Sequence, residues 1–200
     1  MRGRIAEVGI AATLLVAAFL GSGCSTAQPP SGPPPTMAPS LVPGSIPATA
    51  LPGRPADVID LDAGSVALDA VDVAGLEALL DEAGFVGGTQ RQFSRVRGGR
   101  RRILARVLSF ETPGGAAAYV GWLRHHADEV IGDAAPNAGL RAPSHGVVLV
   151  HEPDPCCHNE TRMFLAMWHR GSTVVTIQIA GEGARESDVP DLLARLDSAI

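Results

Sequence analysis

The sequence predicts an α+β domain: a mostly antiparallel sheet of about five strands packed with three helices. Three observations carry that expectation. Apolar residues recur at helical spacing in three separated stretches, β-rich runs lie between them, and those runs come in groups joined by short turn signals. Strands linked by tight turns pair antiparallel, and their apolar face needs helices to cover it.

The first helix is expected over Asp72–Ala83, where Val73, Leu76, Leu80 and Ala83 share a face, Asp72 is a cap candidate and Gly84 a stop. The period then changes. Gln90–Arg97 and Arg100–Phe110 flank Gly98-Gly99, which suits a hairpin turn. After Pro113-Gly114 a helix is expected through residue 131, burying Ala116, Tyr119, Val120, Leu123, Ala127, Val130 and Ile131. Val147–Glu152 and Thr161–His169 are strand candidates on either side of a Pro/Cys loop, and Arg170-Gly171 turns the second into Ser172–Ala180. The last helix has Ser187 or Asp188 as cap and Pro190 in its first turn, with Val189, Leu192, Leu193, Leu196 and Ile200 on its buried side.

Ahead of this domain, expected over residues 57–200, stand two segments of different character. Residues 1–23 read as an export signal: Arg2 and Arg4, the apolar run Ile10–Leu20, then Gly21-Ser22-Gly23 before Cys24. As a helix that run spans roughly 16 Å, about half the hydrocarbon thickness of a bilayer, so it is too short to stay as a span. The site resembles the signal-peptidase-II site of bacterial lipoproteins, which implies lipid attachment at Cys24; Gly21 departs from the usual aliphatic residue. The rival reading is ordinary secretory cleavage after Ser25-Thr26-Ala27. Residues 24–56 hold ten prolines between Pro29 and Pro55 and are expected to form a disordered or polyproline-like tether. Unstructured filler from a GC-rich genome fits the same residues, as does the use of arginine for all 16 basic positions.

The segment "AVDVAGLEALLDEAGFVGGTQRQF" with "RVLSFETPGGAAAYVGWL", and the later "HRGSTVVTIQIAGEG" before a terminal amphipathic helix, resemble the soluble domain of small envelope lipoproteins of actinobacteria, many of unknown function. Some such domains have a PsbP-like α/β/α layout. The resemblance implies an anchored domain at the extracytoplasmic face of the cell membrane and brings no catalytic set with it.

Charge singles out one stretch. Seven arginines and no acid lie between Arg91 and Arg106, whereas residues 57–82 hold eight acids and no base. Arg95, Arg97, Arg100, Arg101 and Arg102 are therefore candidates for an anionic lipid, a glycolipid or an acidic envelope protein, because guanidinium forks pair with phosphate and carboxylate. The alternative is an edge hairpin kept soluble by its charge. Nucleic acid is a poor partner for an exported acidic chain.

The densest polar cluster is the loop from His151 to Glu160. His151, Cys156, Cys157 and His158 supply metal-ligand types, though without the C-x-x-C or H-x-x-x-H spacing of a zinc site. Cys156 and Cys157 are also candidates for a vicinal or intermolecular disulfide, or for free thiols. No nucleophile elbow, P-loop, dinucleotide fingerprint or H-E-x-x-H helix occurs, so no catalytic residue and no cofactor is assigned. A shallow apolar cleft is expected between helix 114–131 and the sheet, open to a lipid tail or small hydrophobe. The leading expectation is a lipid-anchored, non-enzymatic binding domain. The alternative is an exported metal-binding or thiol-redox protein that uses the loop 151–158.

Overall fold

The structure, a computed structural model, describes residues 45–96, 101–153 and 161–200; at residues 95 and 96 only the backbone is described. It is α+β and its sheet is antiparallel throughout, as the strand pattern predicts. The central strands are β3 (Phe85–Val96), β4 (Arg101–Phe110), β6 (Val147–His151), β7 (Met163–Arg170) and β8 (Thr173–Ala180). Three short strands bring the sheet to eight: β1 (Arg54–Pro55), β2 (Ile59–Leu61) and β5 (Ala135–Pro136). The order is β1-β3-β4-β8-β7-β6-β5, with β2 also on β3. Both end strands carry a proline, which is tolerated at an edge and blunts it against further pairing.

Among the described residues five α-helices cover the sheet, where three were expected. Four are on one face: α1 (Ala63–Ala67), α2 (Val73–Glu82), α3 (Pro113–His125) and α4 (Ala127–Ile131). The fifth, α5 (Val189–Ala199), lies on the other. The alternation along β4 shows the division: Ile103, Ala105 and Val107 pack with Leu192, Leu193 and Leu196 of α5, while Leu108 and Phe110 pack with Leu76, Leu80 and Tyr119. Three of these helix starts, those of α1, α2 and α3, are capped by side chains. Asp62, Asp72 and Thr112 accept from the backbone N–H of Ser65, Gly75 and Gly115 at 2.7, 3.0 and 3.1 Å. Hydrogen bonds from Ser65 hold the exposed Asp62 carboxyl below its ordinary range.

The stretch expected as one helix to residue 131 is two. At His126 the backbone leaves the helical region (φ −117°, ψ 25°), and α4 starts afresh at Ala127. Its apolar stripe continues regardless, with Ala127 and Ile131 buried beside Leu123. β3 also begins earlier than its side chains suggest, because Gly88 is demanded by packing. A Cβ there would lie 2.5 Å from Leu108 Cδ2 and 3.0 Å from the Val107 carbonyl oxygen. Gly115 is required in the same way, since a Cβ would fall 1.9 Å from the Ala83 carbonyl oxygen where α3 starts against the end of α2.

Packing against the domain also involves residues from the stretch expected as tether, 24–56. Ile46, Ala50 and Leu51 are buried in the core under α5, and Arg54 and Pro55 pair with Ser94 and Phe93. Prolines exclude helix and inner strand from this stretch, but they do not stop its aliphatic residues from filling the core.

Candidate functional site

On the face covered by α1–α4 a cavity of about 340 Å³ opens between helices and sheet. Its floor is made by every second residue of three neighbouring strands: Gln90 and Gln92 of β3, Arg102, Leu104 and Arg106 of β4, Thr176 and Gln178 of β8, with Leu165 of β7 beyond. Its roof is Tyr119, Trp122 and Leu123 of α3 and Val130 of α4, with Leu76, Asp69 and Glu129 at the sides. One side of the space is thus amide and guanidinium, the other aromatic and aliphatic. That composition is typical of small-molecule sites, which orient a ligand with a few polar groups and hold it by apolar contact.

The roof is organised by an aromatic series. Phe110, Tyr119, Trp122 and His126 succeed one another, with centroid separations of 5.6, 6.4 and 4.5 Å; the last pair is nearly parallel. His126 also bonds through Nδ1 to the Trp122 carbonyl at 2.9 Å, so the residue that breaks the helix also braces the indole. At the deep end Arg106 forms an ion pair with Asp69 and donates from Nε to Gln90 Oε1 at 2.6 Å. Burial pushes the Tyr119 phenol up to about 12; Arg106 opposes that shift and Asp69 adds to it.

Asp69 arrives on the loop between α1 and α2. A second contact holds that loop, because Val71 N–H donates to Glu129 Oε2 at 2.7 Å. Its flanking side chains, Leu68 and Val71, are 75% and 83% exposed, the two most exposed large hydrophobics among the described residues.

The arginine candidates are split. Arg101 and Arg102 lie on opposite faces of β4. Arg101 is buried on the α5 side, where its Nη1 donates to Asp188 Oδ2 at 2.7 Å, so it ties the sheet to the start of α5. Arg102 is exposed and lines the cavity. Arg97 and Arg100, and the side chain of Arg95, lie outside the described residues, as do Cys24, Cys156, Cys157 and His158. His151 ends β6, with Nδ1 3.0 Å from the Asp133 carbonyl oxygen. Among the described residues no three His, Cys, Asp or Glu side chains gather as a metal site.

The floor glutamines, Thr176 and Asp69 are not legible as site residues in the sequence. The available signal is polar residues at every second position of the strands 85–96, 101–110 and 173–180. By itself that alternation also describes a solvent face.

No family model matches the chain, and no curated protein matches it. Among solved structures it is similar in fold to the extracellular domain of PknH from Mycobacterium tuberculosis, with a TM-score of 0.50 and 12% sequence identity over 73% of this chain and 84% of that one. No helix among the described residues is long and apolar enough to cross a membrane.

Proposed function

We propose that this is an exported protein, held at the outer side of the cell membrane by lipid on Cys24, whose α+β domain binds a small ligand in the cavity between the sheet and α1–α4. The observation that carries the binding reading is the floor itself. Gln90, Gln92, Arg102, Thr176 and Gln178 face a space roofed by Tyr119, Trp122 and Leu123, in place of the apolar side chains that would close a helix–sheet interface. Export is supported by the order of charge, short apolar run and small residues ahead of Cys24, and by the fold shared with a domain described as extracellular.

The test is to fill the space. Leu104 is the apolar residue at the centre of the floor, and Leu104→Trp places an indole there. Full-length protein recovered from the envelope of expressing cells should carry a bound small molecule in native mass spectrometry, and the Leu104→Trp protein should not. Equal occupancy in the two proteins, or none in the first, overturns the reading.

A further inference from the structure

The register of the sheet arranges the cavity floor in rows. Arg102 stands between Ser94 and Ala180 in the outer row; Leu104 lies between Gln92 and Gln178 in the next; Arg106 lies between Gln90 and Thr176 in the third. The two arginines are in different electrostatic states. Arg106, half-buried, is neutralised by Asp69 and held by Gln90. Arg102, two rows outward on the same strand, has no carboxylate partner among the described residues. Between them the Gln178 carboxamide has only a weak acceptor, the Met163 sulfur at 3.9 Å from Nε2.

We infer that the ligand is a single-chain amphiphile with an acidic head group. The head lies on Arg102, with the Gln92 and Gln178 amides beside it, and the chain runs inward between Leu104 and Leu165 below and Trp122 and Leu123 above. This rests on the cavity being a binding site and specifies what enters it. Covering Arg102 with a neutral ligand leaves a desolvated cation without a counter-charge, whereas a carboxylate or phosphate supplies charge-assisted hydrogen bonds there. A bare inorganic anion leaves the aromatic and aliphatic roof wet, and among the described residues that line the cavity it finds no second unpaired cation to converge with Arg102, since Arg106 is already matched. Chain number follows from size: about 340 Å³ lies at the low end of the ~300–1,000 Å³ typical of ligand cavities, room for one short chain rather than two.

The experiment uses the full chain in nanodiscs of zwitterionic phosphatidylcholine, titrated separately with octanoate, octyl phosphate, octanol and acetate. Emission from Trp122 is the readout. The Trp122→Phe protein supplies the baseline, because the second tryptophan, Trp168, is buried on the other face against Asp197. Saturable quenching is expected from octanoate, octyl phosphate or both, and the stronger of the two identifies the head group as carboxylate or phosphate. Arg102→Gln should weaken that binding about tenfold, the loss of one charge-assisted contact, with octanol binding unchanged and an unaltered melting curve. Arg102→Lys should restore part of it. Octanol binding as tightly as the acids, with no effect of Arg102→Gln, overturns the acidic class and leaves the cavity a binding site. The class is likewise overturned if none of the four ligands binds while envelope-recovered protein still carries a ligand that Leu104→Trp excludes. If neither binding nor a recovered ligand is seen, both readings fall.

Discussion

At the scale of single residues the most informative group is Tyr119, the one tyrosine in the chain. Burial raises its phenol to about 12, whereas in the unfolded chain it ionises near ~10. Below that lower value both states hold the proton and the shift contributes nothing. Between the two values the unfolded chain loses its proton first, so folding stability falls as pH rises from about 10 to 12, by roughly 2–3 kcal/mol in all. Denaturant unfolding at about pH 9 and about pH 11 should show the loss, and Tyr119→Phe should remove this contribution to it. Because no other tyrosine contributes, the near-ultraviolet phenolate absorbance of the native protein reports this group directly; ionisation near 10 would mean that the phenol is not buried between α3 and the sheet. Arg101 makes the complementary case. Its side chain is 8% exposed and that of its carboxylate partner, Asp188, 37% exposed. Asp188→Ala therefore leaves a buried cation unpaired and should cost roughly 1–3 kcal/mol in denaturant unfolding, more than an ordinary surface ion pair is worth.

Among the elements, those with a strong period are the ones the sequence makes legible. The helices at 73–82 and 189–199 and the strands 101–110 and 173–180 fall where apolar spacing and turn residues put them. What is not legible has local physical causes. β1, β2 and β5 are two or three residues long, too short to show alternation, and exist because a neighbouring edge offers hydrogen bonds. The α3–α4 break is masked because the buried stripe runs on through Ala127 and Ile131. The cavity is hidden for a different reason: polar residues at alternate strand positions indicate a polar face, and only the path of α3 across that face turns it into a floor. The loop between α1 and α2 is the element placed to move, since two polar contacts, Arg106 with Asp69 and Glu129 with Val71 N–H, tie it down, while Leu68 and Val71 stay exposed. Glu129→Ala removes one of these, and the Val71 amide should then exchange its hydrogen about tenfold faster. The Ile177 amide at the sheet centre should be unaffected; slowing at both sites or change at neither would mean that Glu129 does not hold the loop.

For the whole molecule the question is how a domain with two covered sheet faces is delivered to its place of work. The folded part claims residues from Ile46 onward, so the spacer available between Cys24 and the domain is shorter than the proline count suggests. It is roughly 20 residues, about 60 Å if polyproline-like. With the proposed lipid on Cys24, the domain would be tethered to a surface where amphiphiles concentrate, which links the proposed anchor to the proposed ligand class. The anchor is open to a sharp test, because each buried methylene contributes about 0.8 kcal/mol and a diacylglyceryl thioether carries two full chains, enough for stable retention without a spanning helix. Protein recovered from membranes should have the mass of a chain that begins at Cys24 with lipid attached, and Cys24→Ser should shift it from the membrane pellet to the soluble fraction. The competing cleavage after Ala27 makes the opposite forecast: an unmodified chain beginning at Gln28 that is soluble from the start, for which Cys24→Ser changes nothing. In that case the cavity would have to draw its ligand from solution, and its affinity for chains as short as octanoate would need to hold without any enrichment at a membrane surface.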